Sequence, residues 1–442
     1  MILFFLFFSL LEVGFSLINI NSCGELNISG EVYNLTQDVT FNGTCFDIDN
    51  DSLTLNCNGY ILNGQNTSSG YGLYISNNDY VNVNNCNIEN FYSGIYLGNS
   101  DRAVINNTNI SDLFNGASRG LILHWADYNT IENLRVVGAM GGGLNSGGIH
   151  FMFSADQNNL SNLVLLNNTV GLAMDHGSSN IIRNVVLDGN IDNDFWFDYN
   201  APMSTFCSQD IRNLTDIQGK YHYILNSAQT IDGWTNLSSI IICDGSNSIL
   251  RNMNLVGSGR GSFIYSISSY DLFFENLTIN NYRFGIKTYV STINASGLDL
   301  RNNDYALYTD LTGFRINNSL IYGNSLYDIF HLSGVFLSYN NTLTSSSKVF
   351  GSINFNETFG YGVVGNKWLD LNCLNNITRG PFQVCTNPAY VNISAGVVDF
   401  APLYNVPVVS GSSGLSSILP FSSFFSIIFG LFLIGVFGFI FF

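Results

Sequence analysis

Hydrophobic positions in this chain fall into short alternating runs separated by Asn, Gly and Asp, and one pattern recurs: an apolar residue, one intervening residue, Asn, two residues, then another apolar residue. It appears from Asn85 to Ile88, Asn107 to Ile110, Asn133 to Val136, Asn162 to Leu165 and Asn184 to Leu187. After a gap it resumes from Asn252 to Leu255, Asn276 to Ile279 and Asn318 to Ile321, with Gly297 to Leu300 fitting between the last two. In phase with it runs a second element, Gly followed by a short alternating strand, at Gly94, Gly120, Gly148, Gly171 and Gly285. Repeats of twenty to thirty residues with strands too short for a sandwich predict coiling, one turn per repeat.

The fold class expected is all-β, a right-handed parallel β-helix of about eleven or twelve coils in two segments. Equivalent residues of successive coils then stack, and the Asn column is expected to face inward at a corner, its amides bonded to the turn backbone and to one another. The competing account is that Asn marks solvent-exposed turns, where it tolerates a left-handed backbone. The rung pattern lapses between Asp194 and Ser239, which places a boundary near Pro202. The resulting division is 23–45 for an N-terminal cap, 46–200 and 207–349 for the two segments, and 350–405 for a C-terminal cap.

Both ends are apolar. Residues 1–16 have the length of a signal peptide, with Gly14 and Ser16 before the cleavage point. Residues 418–442 are long enough to cross a bilayer and follow a Ser/Gly-rich linker at 406–417, so a transmembrane helix or an exchanged lipid anchor is expected to hold the protein at the cell surface. Export makes disulfides the expected use of the eight cysteines, with Cys23–Cys45 and Cys373–Cys385 the favoured pairs; Cys57 and Cys86 lie one repeat apart. Eighteen Asn-x-Ser/Thr sequons fit an exported glycoprotein, although 61 Asn residues would produce many by chance.

Fifteen Lys and Arg against 32 Asp and Glu give a net charge of −17, which excludes nucleic acid as a partner, because phosphate neutralisation needs a basic face. Candidate chemistry is sparse. Asp175 and His176 with Arg183 form one possible catalytic group, and Asp299, Arg301 and Asp304 another. Asp192, Asp194 and Asp198 surround Trp196, an arrangement in which carboxylates beside an exposed ring would grip a sugar; the alternative is that these aromatics plug the first segment. Asp47, Asp49 and Asp51 alternate as calcium ligands would, without the Gly and distal Glu of an EF-hand, so calcium is the one cofactor left open. His124, His150 and His176 are 26 residues apart and would form a metal column if they shared a rung position.

Several stretches resemble the NosD-like and carbohydrate-binding/sugar-hydrolase group of parallel β-helix proteins, especially archaeal cell-surface members. Cys23-Gly24, Tyr33 to Val39 and Gly43 to Ile48 resemble that group's N-terminal cap; Leu53 to Ile61 with Gly64 resembles its first coil; Gly365 to Trp368 and Asp399 to Leu403 resemble its closing motif. The acidic glycine-rich run usual between the last two is missing. The resemblance implies a right-handed β-helix displayed outside the cell and fixes no activity. The function expected is a surface scaffold or adhesin-like protein contacting glycans or envelope proteins; the alternative is a polysaccharide lyase, hydrolase or epimerase. An enzyme should bring two carboxylates and a basic residue together on the outer face, whereas a scaffold should show polar turns there.

Overall fold

The structure, a computed structural model, describes residues 17–399 except 67–68, 114–115, 117, 142–145, 198–206, 344–347, 352, 356, 360–361, 365, 369–375, 380–381, 386–388 and 393–396. Both expected terminal segments, 1–16 and 418–442, therefore lie outside the described residues. Among the described residues there is no α-helix, and no helix is long and apolar enough to cross a membrane. The chain forms two compact units, one of residues up to Asp188 with Gln209–Asn213, the other of Gly189–Ser208 with residues from Leu214 onward. Both are parallel β-solenoids, about 14 turns in all, more than the eleven or twelve expected.

In the first unit, Val104–Ser111, Thr130–Val137, Asn159–Leu166 and Ile181–Asp188 pair in parallel on one face. Tyr71–Ser76, Ser93–Gly98, Arg119–His124, Gly147–Met152 and Val170–Met174 pair in parallel on another. Alternation sends every second side chain inward, so apolar residues stack in files: Ile105, Ile131, Leu160 and Ile182 in one, Ile95, Leu121, Ile149 and Leu172 in the other, all fully buried. Each such side chain contributes roughly 1.5–3 kcal/mol of burial. The recurrent Gly that opens the second set is required by space: a Cβ on Gly120 would meet Val136 Cγ1 at 2.3 Å and the Gly148 carbonyl at 2.4 Å.

The second unit repeats the arrangement with Ser262–Ile267, Phe284–Tyr289, Tyr305–Asp310 and Tyr327–His331 on one face and Ile249–Val256 with Leu272–Asn280 on another. Antiparallel hairpins follow at Glu357–Phe359 with Gly362–Val364, Asn376–Arg379 with Phe382–Cys385, and Ala389–Asn392 with Val397–Asp399. Disulfides join Cys23 to Cys45, Cys57 to Cys86 and Cys207 to Cys243. The expected Cys373–Cys385 pair cannot be placed, because Cys373 lies outside the described residues.

Register puts Asn85, Asn107, Asn133, Asn162 and Asn184 in single file, and Asn252, Asn276, Gly297 and Asn318 in another. The amides bond along the file in part, Asn184 Nδ2 to Asn162 Oδ1 at 3.1 Å and Asn276 Nδ2 to Asn252 Oδ1 at 3.2 Å. The inward orientation expected for them is corrected: all are exposed, with φ between 49° and 59°, the left-handed bend that Asn tolerates. The buried polar file is a different one, Asn129, Asn158, Asn180 and Gln209. Each side-chain oxygen accepts from the backbone N–H of the residue one coil before, at 2.7–2.8 Å from Asn129 onward.

Candidate active site

The outer face of the Gly-led strands in the first unit carries the densest chemistry. Two positions after each Gly come Tyr96, Ile122, His150 and Ala173 in register; four positions after come Gly98, His124, Met152 and Asp175. Arg119, one position before Gly120, pairs in register with Ser93 and Gly147. The parallel ladder thus aligns on one face side chains that lie tens of residues apart in sequence.

Arg119 Nε donates to His150 Nδ1 at 3.0 Å, and His150 Nε2 lies 3.1 Å from Asp175 Oδ2. Because a guanidinium only donates, Nδ1 must be the acceptor, which puts the ring hydrogen on Nε2; that nitrogen is close to Asp175 Oδ2 without an aligned hydrogen bond to it. His150 is 1% exposed. Both Nη groups of Arg119 remain without a hydrogen bond to the described residues. Asp175 Oδ1, His176 Nδ1 and Ser93 Oγ are also buried with no hydrogen-bond partner among them, the signature of a site completed by water or ligand.

Beside this network, Tyr96 Oη lies 2.9 Å from His124 Nδ1. Tyr96 stacks on Tyr74 at 5.0 Å, and Tyr71 packs against both. Burial, then the Tyr74 and Tyr71 phenols, push the Tyr96 hydroxyl up, so it stays protonated. Burial pulls His124 below the ordinary imidazole range, so it stays neutral at neutral pH. Burial also lowers Arg119, opposed by Tyr92, Asp175 and Tyr71. A rim of Trp125 and Phe153 stands over His124, with ring centroids 4.4 and 5.0 Å from it. Both rim residues are about half exposed and hold left-handed backbones, φ 50° and 44°, a conformation bulky side chains rarely adopt. Strain retained at two adjacent exposed aromatics points to a role for the rings themselves.

Of the residues expected to be catalytic, Asp175 lies in this network and His176 is next to it, stacked on Phe153 at 6.2 Å. Arg183 does not join them: it sits on the other sheet and pairs with Asp210 at 2.8 Å. Arg119, His150, Tyr96 and His124 were missed as a group. Counting offsets from each Gly would have found the two outward files. The same register separates the three histidines, since His124 aligns with Met152 and His150 with Ile122, so no His column forms.

The remaining candidates fall elsewhere. In the second unit Asp192 pairs with Arg283, and Asp194 accepts from Asn190 Nδ2 at 2.8 Å and lies 3.7 Å from His222. Trp196, expected to offer an open face to sugar, is 6% exposed, and Phe195 and Phe197 are buried with it. Asp198 lies outside the described residues. Asp299 pairs with Arg301 at 3.5 Å, while Asp304 accepts from Ser325. Asp51 Oδ1 accepts the Asp79 backbone N–H at 2.8 Å, and Asp47 is raised by burial and then by Asp49 and Glu25. Among the described residues, no three His, Cys, Asp or Glu side chains converge as metal ligands would.

No family model matches the chain, and no curated protein does. Solved structures with a similar fold include an alginate lyase from Paenibacillus sp. str. FPU-7, 15% identical with a TM-score of 0.30 over 76% of this chain and 99% of that one. The A-module of the mannuronan C-5 epimerase AlgE6 from Azotobacter vinelandii is 11% identical with a TM-score of 0.31, over 77% and 91%. PfbA, a surface adhesin of Streptococcus pneumoniae, is 12% identical with a TM-score of 0.30, over 88% and 89%. The scaffold or adhesin-like expectation is corrected on the geometry: the outer face holds a converged Arg–His–Asp network, with one carboxylate where two were expected of an enzyme, in place of the polar turns that expectation required.

Proposed function

We propose that the first unit is an enzyme that abstracts the C5 proton of a uronate residue in an acidic polysaccharide, as a lyase or epimerase. The observation that carries this reading is the guanidinium of Arg119, bonded through Nε to His150, which itself lies against Asp175, with neither Nη hydrogen-bonded to the described residues, beside a neutral imidazole and a protonated phenol. A carboxylate bound across the Nη groups loses charge, which acidifies the proton on the adjacent carbon. With its hydrogen on Nδ1 and donated to Tyr96 Oη, His124 presents a bare Nε2 as base, and the Tyr96 O–H serves as the acid. His150 and Asp175 are positioning residues, holding Arg119 in orientation. Trp125 and Phe153 supply apolar ring surface on which a neighbouring sugar rests.

Hydrolysis is the less supported chemistry, because it uses two carboxylates flanking the bond, and among the described residues only Asp175 enters the network. The net charge of −17 does not oppose a polyanion at this face, since charges beyond about 8 Å are screened at physiological salt. The same reading takes the protein to wind right-handed like NosD-like β-helices, and to be exported and held at the cell surface by 1–16 and 418–442. Protease treatment of intact cells tests that placement: surface protein is degraded, internal protein survives. For the activity, the purified protein is incubated with polymannuronate, polyguluronate, polygalacturonate and a neutral glucan. Unsaturated ends or inverted C5 centres on a uronate polymer support the reading; reducing ends released from the neutral glucan alone overturn it.

A further inference from the structure

We propose that Lys287 and Asn193, in the second unit, join through their side chains in an intramolecular amide cross-link. Lys287 is 3% exposed and Asn193 2%. The Lys287 amine is enclosed by four aromatic rings, with Nζ 4.5 Å from the centroid of Phe284, 5.7 Å from Tyr308, 5.8 Å from Tyr289 and 5.9 Å from Tyr265. The Asn193 side chain meets the same amine. Oriented so that all its contacts are satisfied, the Asn193 amide turns its oxygen to Lys287 Nζ at 2.9 Å and its nitrogen to Ser262 Oγ at 2.7 Å and the Asp192 carbonyl at 2.9 Å. A carbonyl bond is about 1.23 Å long, so the amide carbon lies within about 4 Å of the amine.

Three features of the surroundings favour reaction over a simple hydrogen bond. Burying an ammonium with one neutral acceptor is costly, and burial, then the positive charge of Arg283, lower the Lys287 pKa to about 7, while the ring faces act the other way by attracting the cation. A share of the amine is therefore available as the nucleophilic free base. Asn193 is held in place, since Arg283 pairs with Asp192 and also donates to the Ile191 carbonyl at 3.4 Å. Ser262 Oγ accepts a hydrogen bond from the nitrogen that must leave and so holds the amide in this orientation.

The step balances without a further reactant. Nζ attacks Cγ of Asn193, the Nζ–Cγ bond forms and the Cγ–Nδ2 bond breaks. One proton is lost from Nζ and one gained by Nδ2, and ammonia departs. The product replaces a buried amine with a neutral amide and ties residue 193 to residue 287.

Peptide mapping of the full chain by tandem mass spectrometry tests this. The folded protein is expected to yield one branched peptide containing both residues, lighter by one ammonia than the two linear peptides together, and Lys287→Arg and Asn193→Ala are each expected to abolish it. Recovery of both peptides as separate, unmodified species from the folded wild-type protein overturns the proposal, as does persistence of the branched peptide in Asn193→Ala. The wild-type map decides the matter even if neither variant folds.

Discussion

At the scale of single residues, the account rests on Arg119 being held through Nε, with no Nη hydrogen bond to the described residues. Arg119→Met removes the carboxylate clamp and is expected to lower kcat/KM on the preferred uronate polymer by about 100-fold or more. Asp175→Asn keeps the shape but weakens the hold on His150, so a smaller loss, about tenfold, is expected in the same assay. The pH profile follows from the two shifted groups. Burial keeps His124 deprotonated to lower pH, so the acid limb of kcat/KM should fall below the ordinary imidazole value of about 6.5. Tyr96 is raised, so the alkaline limb should lie above about 10. His124→Gln should abolish the acid limb along with most activity. Asp175 and His176 were legible in the sequence as an acid beside an imidazole. Arg119 and His150 were not, because they belong to other coils and become neighbours only through register.

Elements in this protein are specified by two kinds of repeat. The Gly file is legible in sequence, and its reason is steric: Gly120→Ala would drive a methyl into Val136 and the Gly148 backbone, and a loss of roughly 1–3 kcal/mol is expected in chemical denaturation. The Asn file is legible too, but its direction was misread, because stacking in register is compatible with either an inward or an outward corner. The left-handed backbone and the exposure of the file show that it turns outward. Truncating an exposed member and a buried one should therefore differ. Asn162→Ala should cost about 1 kcal/mol through its backbone conformation. Asn158→Ala strands the Asn129 N–H that it accepts at 2.8 Å and the Ala126 carbonyl to which it donates at 2.9 Å, with about 3 kcal/mol expected from the same melts. The buried file escaped notice because it runs in step with the exposed one, Asn129, Asn158 and Asn180 each standing four residues before Asn133, Asn162 and Asn184, so that one Asn repeat hid the other.

For the molecule as a whole, the solenoid class was readable from periodicity, whereas the location of a reactive face was not, because a parallel β-helix offers the same lattice to inert and reactive side chains alike. Aromatics illustrate the difference. In the second unit Tyr308, Phe330 and Phe350 stack face to face at 5.2 and 4.7 Å, and such pairs add roughly 0.5–1.5 kcal/mol of cohesion each while turning their faces toward one another. Trp125 and Phe153 instead pay for exposure with backbone strain, consistent with a surface kept open for a ligand. Covalent closure also acts at this scale. Cys57–Cys86 clips adjacent coils across a 29-residue separation, and replacing both by Ala should remove about 3 kcal/mol of stability in the first unit.

The central claim, that Arg119, His124 and Tyr96 together remove a proton from the carbon next to a uronate carboxylate, is tested most directly by solvent exchange. The protein is incubated with polyuronates in heavy water, and deuterium at C5 and unsaturated sugar ends are read together by NMR. The account predicts one or both of these in the wild-type protein and their loss in Arg119→Met and His124→Gln. Protium retained at C5 of every polyuronate with no unsaturated ends formed, or the same signals in wild type and both variants, would contradict it.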